Sequence, residues 1–480
     1  MFKMHCMIIA LIAACLLAVA AQRVSSFELV PFTKVANATE RRAVCMDGSP
    51  GGYHYSAGSG DGAKNWLIYL MGGGWCADIA TCQSYFNETR GSSRFAGMAN
   101  FTGILSPDKH VNPDFYNWNR IYVLYCDQSS FLGDSEVDGP GPKVQFRGSK
   151  IFDAVVEDLL AKGMGVGDNA ILSGRSAGAL AAILHCDDFR ARLPNVCRVK
   201  CLSDAGFFIR AENVLNADYR EQLFASTIML HNISGLLPAA CTQRIDPSLC
   251  LFPENLVGDI QTPLFILNSA FDYYQVLNRL VPESSPDSER LSKCLSNPST
   301  CTAFDKQLIT DFGDAFFKDV RQISKNPSRG MFIAACLFHS VAWVERYWSP
   351  NSTVKLGNMT ILEAFANWYF DRDSATFVTS SNYIENFIGG ATIAMSEPYS
   401  DPCYQQLRTI PRCFEKVLES VCFFHKMDVA VDCCKIYVSL DSGCIQRFVD
   451  EATARKACVI YDEYIGREAE ALVRICNARI

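Results

Sequence analysis

Five short apolar runs limit what this chain can fold into. WLIYL (66–70), RIYVLY (120–125), AILS (170–173), VKCLS (199–203) and PLFILN (263–268) are nearly continuous instead of alternating. A strand with one wet face alternates apolar and polar residues, whereas a strand covered on both faces does not. Between the second and third runs lies SKIFDAVVEDLLAK (149–162). Its Ile151, Phe152, Val155, Val156, Leu159 and Leu160 share one helical face, and Gly163 stops it. Strand, helix, strand in that order requires crossover connections and therefore a parallel sheet. The fold class is α/β, a mostly parallel sheet flanked by helices. The glycines at 163, 165 and 167 end a helix instead of opening one, so they read as a turn and not as a nucleotide loop.

The 480 residues leave room for two or three domains. With 49% hydrophobic and 20% charged residues the chain is of ordinary globular composition. A net charge of −7 without a long basic block argues against a nucleic-acid partner. The 22 cysteines carry more information. CxxC pairs and HExxH are absent and the seven histidines are scattered, so no metal or other cofactor is expected. The cysteines read as disulfides, which implies an oxidising compartment. Lys3, the apolar run at 6–21 and the small residues Ala18, Ala20 and Ala21 make residues 1–26 a signal peptide. No later run is long enough to span a bilayer. Losing Cys6 and Cys15 with the leader leaves an even number of cysteines. Sequons at Asn37, Asn87, Asn100, Asn232, Asn351 and Asn358 suit a secreted, extracellular chain.

The sharpest local signal is Gly174-Arg175-Ser176-Ala177-Gly178, placed between AILS and the helical ALAAILHC (179–186). A strand-to-helix elbow lifts a serine hydroxyl above a sheet, and the turn needs small neighbours. The N–H of Ala177 then faces a developing oxyanion from a helix N-terminus. In hydrolases with such an elbow the chain order is serine, acid, histidine. Among the histidines after Ser176, His185 lies in the elbow helix, His231 precedes the better acid and adjoins a sequon, and His425 lies in a cysteine-rich tail. His339 remains, at the end of the apolar run 330–338, and is the expected base. Asp204 and Asp272 both follow strand-like runs. Asp272 is preferred because a triad acid usually comes from a strand later than the one beside the elbow, leaving Asp204 to cap a turn or line the pocket. The Gly72-Gly73-Gly74-Trp75 turn after WLIYL supplies the second half of an oxyanion hole, with Gly74 and Trp75 as its N–H donors.

These segments, WLIYLMGGGWC, YCDQSSFLGD, FRGSKIFDAVVEDLLAKG, GRSAGALAAILHCDDFR, CLSDAGFF and GMFIAACLFH, stand in one order over about 43–373. In that order they resemble the pectin acetylesterase family of plants, whose animal branch includes the Notum carboxylesterase. The resemblance implies an α/β-hydrolase fold, a Ser176–Asp272–His339 triad and an oxyanion hole from Gly74, Trp75 and Ala177. NSAFDYYQ resembles the family's acid-bearing loop. The chain departs from the family pattern at Met71, where an acidic residue is common, and at Ala179, where glycine is usual. The implied activity is removal of acetyl groups from pectin-type polysaccharide in a cell wall. The rivals are an esterase acting on an acyl-protein or small ester, and an inert binding protein.

Beyond about residue 373 the composition changes. Residues 374–401 are Ser/Thr/Gly-rich and read as a linker, and eight cysteines crowd 403–476. The expected layout is a catalytic domain over 27–390, then a linker and a small helical disulfide domain over 391–480. CYQQLRTIPRC, the adjacent Cys433 and Cys434, Cys444 and Cys458 resemble the plant prolamin-like domains. Even counts of twelve and eight suggest that each part closes its disulfides internally. The tail is expected to bind cell-wall material or a protein partner.

Overall fold

The continuous apolar runs become the inner strands of a nine-stranded sheet. The computed structural model describes residues 28–378 apart from 140, 212–216, 281–285, 298–299, 324–325, 327 and 373–375. The expected leader, nearly all of the linker and the cysteine-rich tail lie outside the described residues. In chain order the strands of the sheet are β1 (Phe32–Lys34), β2 (Gly52–Ser56), β3 (Asn65–Leu70), β4 (Asn119–Val123), β5 (Asn169–Arg175), β6 (Arg198–Asp204), β7 (Leu264–Ser269), β8 (Arg329–Ala334) and β9 (Thr376–Val378). Their order across the sheet is β9-β8-β7-β6-β5-β3-β4-β2-β1. From β9 to β4 every pair is parallel, and β2 and β1 add an antiparallel edge.

Helices cover both faces. The main ones are α1 (Gly148–Ala161), α2 (Ala177–Leu184), α3 (Ala217–Leu230), α4 (Tyr273–Leu280), α5 (Ala303–Ile323) and α6 (Ile361–Tyr369). Five of the six apolar residues expected on the inner face of α1 are buried, and Leu160 stays half-exposed at its last turn. Gly163 ends that helix region at φ +106, a left-handed value open to glycine at no steric cost. Strand order reverses between β3 and β5, so the loops leaving these two strands meet above one crevice. Ligand sites of open parallel sheets lie at such switch points. Among the described residues no helix is long and apolar enough to cross a membrane.

Two expectations need correction. Residues 376–378, assigned to the linker, form the edge strand β9 and pair with Met331–Ile333 of β8. The twelve cysteines before the linker do not all pair with one another. Ten form the bridges Cys45–Cys126, Cys76–Cys82, Cys186–Cys201, Cys241–Cys250 and Cys294–Cys301, and Cys197 and Cys336 belong to none of them. The parallel register explains why. Cys197 precedes β6 while Cys336 follows β8, so they sit at opposite ends of the strands, separated in register by roughly 35 Å at about 3.3 Å per residue. A disulfide spans about 7 Å between Cα atoms at most.

His231, set aside as a base in the sequence, is wholly buried against the Phe146 ring, 3.8 Å between centroids. Its Nε2–H donates to the Cys76 carbonyl at 2.8 Å. Cys76, Cys82 and His231 stand within metal-ligand spacing of one another, but the two sulfurs are bonded together and present no thiolates. Burial lowers the imidazole from 6.5 to about 4. Between those values the unfolded chain takes up a proton that the folded chain refuses. Stability is therefore full above about pH 6.5 and is lost as pH falls through about 4, by on the order of 3 kcal/mol. Urea midpoints at pH 7 and pH 4.5 are expected to differ less in His231→Gln than in the parent. An equal drop in both proteins refutes the assignment.

Candidate active site

Ser176 follows β5 directly, with φ 54 and ψ −125, outside the range L-residues prefer. The strain is held from both sides. Its N–H donates to the Asp204 carbonyl at 2.9 Å, and its own carbonyl accepts from the N–H groups of Ala179 and Leu180 at 2.9 and 3.0 Å. The flanking glycines are steric requirements. A Cβ on Gly174 would lie 2.3 Å from the Gly178 carbonyl oxygen, and one on Gly178 would lie 2.3 Å from that of Leu70. Ala177 opens α2, so its N–H has no acceptor within the helix.

The loop leaving β3 leans on this elbow. A Cβ on Gly72 would meet the Arg175 carbonyl oxygen at 2.4 Å and the Ser176 Cβ at 2.8 Å. Gly74 has φ +76, and its carbonyl accepts from the Tyr125 hydroxyl at 2.8 Å. The Trp75 indole donates to Ser130 Oγ at 2.9 Å and packs edge-on against Phe208 and Phe224. The Cys76–Cys82 bridge closes the next turn. The backbone of residues 72–75 is thus fixed beside the serine.

Asp272 and His339 arrive from β7 and β8. Asp272 is fully buried three residues beyond β7, and its Oδ2 lies 2.7 Å from His339 Nδ1. Its other oxygen accepts from the Gln275 N–H at 3.0 Å. Gln275 is a residue that sequence reasoning did not single out. Its side chain bonds the backbone of Ile209 and Phe207 at 3.1 Å each and ties α4 to the loop after β6. NSAFDYYQ carried the residue, but nothing local shows which loop its amide reaches. His339 is 8% exposed, five residues past β8, and the Tyr274 ring stacks on it at 5.0 Å.

Asp204 ends β6 and supports the same loop from below. Its carboxylate accepts from the N–H groups of Val341 and Ala342, both at 2.9 Å, and from the Tyr69 hydroxyl at 3.0 Å. Burial pushes this carboxyl up to about 6 although all three donors pull it down. Asp204 therefore anchors the histidine loop two and three residues beyond His339, while Asp272 contacts the imidazole.

A parallel sheet with a strained serine elbow at its switch point, a glycine loop packed against it and a buried Asp–His pair beyond the C-terminal ends of two further strands defines an α/β hydrolase. The solved structure of the Wnt deacylase Notum from Drosophila shares the fold at TM-score 0.61 and 24% identity, covering 74% of this chain and 96% of that one. The chain belongs to the pectinacetylesterase family, whose sequence profile matches residues 24–388, and it is a carboxylic ester hydrolase. It is similar to pectin acetylesterase 7 of Arabidopsis thaliana, 41% identical over 72% of this chain and 88% of the relative. Similarity to the palmitoleoyl-protein carboxylesterase notum2 of Xenopus laevis is 26% over 63% of this chain and 61% of that protein.

Asp204→Asn turns one of three acceptor contacts into an N–H facing an N–H or O–H. The expected loss is about 1–3 kcal/mol of stability, seen as a lower melting temperature. An unchanged melting temperature would show that the loop does not depend on this carboxylate.

Proposed function

We propose that the protein is a secreted serine esterase that removes acetyl groups from pectin-type polysaccharide in a cell wall. The observation that carries this reading is the 2.7 Å contact between Asp272 and His339 on loops converging beside the Ser176 elbow. In the proposed reaction Ser176 Oγ attacks the acetyl carbonyl while His339 Nε2 takes its proton. Asp272 holds the Nδ1–H and stabilises the imidazolium. The N–H groups of Gly74, Trp75 and Ala177 receive the negative oxygen of the tetrahedral intermediate. Collapse breaks the bond to the sugar oxygen, which takes the proton from His339 and departs as a hydroxyl, leaving an acetyl-serine. Water, activated by the same imidazole, then releases acetate.

Family membership and the resemblance to pectin acetylesterase 7 support the acetylated polysaccharide as substrate. Five disulfides suit an oxidising compartment, in keeping with a cleaved leader over 1–26. The asparagines of all six sequons, 37, 87, 100, 232, 351 and 358, are exposed, as glycan attachment requires. We assign 27–390 to the catalytic domain and 391–480 to the linker and the cysteine-rich module, which would hold the enzyme on wall material or a protein partner.

Acetate release from acetylated pectin, compared with acetylated xylan and a long-chain ester, tests the substrate. Pectin is expected to be the best of the three, and a preference for the long-chain ester would favour the acyl-protein reading. Ser176→Ala is expected to fold and to lose several orders of magnitude in turnover. Asp272→Asn should lower turnover far more than Asp204→Asn does at temperatures where both stay folded, because it leaves the imidazole in the wrong tautomer. The reverse ranking would exchange the two acids.

A further inference from the structure

One aromatic side chain beside the base has no part in the proposed reaction. Tyr274 follows Asp272 by two residues, in the first turn of α4. Its ring lies nearly parallel to the His339 imidazole, at 5.0 Å and 25°. Its hydroxyl reaches the glycine loop, 3.2 Å from where a Cβ on Gly74 would stand. The ring therefore stretches from the face of the base to the oxyanion loop and walls off one side of the space above Ser176. Phe208 stands against both rings, 6.2 Å edge-on from Tyr274 and 6.2 Å from the His339 imidazole. Phe208 continues into an aromatic row through Trp75 at 4.9 Å, Phe224 at 5.0 Å and Phe252 at 4.8 Å. Phe208, Trp75 and Phe224 are buried, 3%, 5% and 4% exposed, whereas Tyr274 is only partly covered.

We propose that Tyr274 sets the length of acyl group the site accepts. An ester whose carbonyl oxygen lies at Gly74 has its acyl carbon within reach of the tyrosine ring. A methyl group is short enough to stay in front of the ring. A longer chain must run into it, because Tyr274 and Phe208 touch edge to face and leave no gap between them for a methylene chain. Tyr274 is thus a specificity residue that favours acetyl over longer acyl groups. The role rests on the proposed reading of Ser176 and His339 as the reacting pair.

The test is a series of 4-nitrophenyl esters, acetate, butyrate and octanoate, assayed on the full chain and on Tyr274→Phe, Tyr274→Leu and Tyr274→Ala. Methylene-sized changes in an apolar pocket alter kcat/KM by roughly 10–200-fold. Tyr274→Ala is therefore expected to raise the octanoate-to-acetate ratio of kcat/KM at least about tenfold, with Tyr274→Leu between it and the parent. Tyr274→Phe, which keeps the ring, should keep the parental ratio. If Tyr274→Ala does not fold, Tyr274→Leu alone decides by the direction of its ratio. A uniform fall in kcat for all three esters with an unchanged ratio would reduce Tyr274 to a support for the imidazole and overturn the proposal. Ser176→Ala in the same series keeps the two readings apart. If it abolishes turnover while the Tyr274 ratios stay fixed, only the acyl-length role fails. If it retains turnover, the nucleophile is wrong and the acyl-length role falls with it.

Discussion

The centre of this molecule depends on how closely two backbone segments can pass. The turn after β3 and the turn after β5 approach until a single added carbon on Gly72 or Gly178 would collide with a carbonyl oxygen of the other. That approach holds Ser176 in a backbone conformation that an isolated serine avoids, and it brings the amides of the glycine loop alongside. Neither turn imposes this alone. The sheet does, because β3 and β5 are hydrogen-bonded neighbours whose registered ends, Leu70 and Gly174, release both chains at one level. Packing of the strands thus becomes positioning of the candidate reactive groups.

Two aspartates show how much identity depends on neighbours. Asp204 and Asp272 are both buried, and each lies at or just past the end of a parallel strand. One faces two backbone amides and a tyrosine hydroxyl, the other an imidazole. The first sets where the histidine loop lies, and the second sets how the ring is turned within it. Converging on one loop from adjacent strands, they leave His339 little freedom.

The strands of the parallel half were legible because burial on both faces makes their sequence nearly uniform, and the runs at 66–70, 170–173, 199–203 and 263–268 fall within two residues of β3, β5, β6 and β7. The antiparallel edge was not legible. β1 has three residues, and its pairing with β2 depends on a partner twenty residues away. The places of Ser176, Asp272 and His339 beyond strand ends were traceable from chain order and from the loops expected after strands. The pairing of ten cysteines was not, since spacing says nothing about which end of a sheet a residue occupies. Nor were the bonds of Gln275 and the stacking of Tyr274. These depend on which neighbouring loops come within reach of α4, a tertiary fact that the segment NSAFDYYQ does not carry.

The anchoring of the histidine loop by Asp204 also bears on the order in which the chain matures. The bonds from Val341 and Ala342 join residues more than 130 positions apart in sequence. They cannot form until β8 has docked beside β7, and chains emerge from the ribosome N-terminal end first. The elbow and the glycine loop can assemble early, from β3 to β6, into a half-built crevice without its imidazole. A nascent chain therefore carries the serine for much of its synthesis before it carries the group proposed to activate it. Contacts of such long range close slowly, so the proposed activation waits until the sheet is nearly complete.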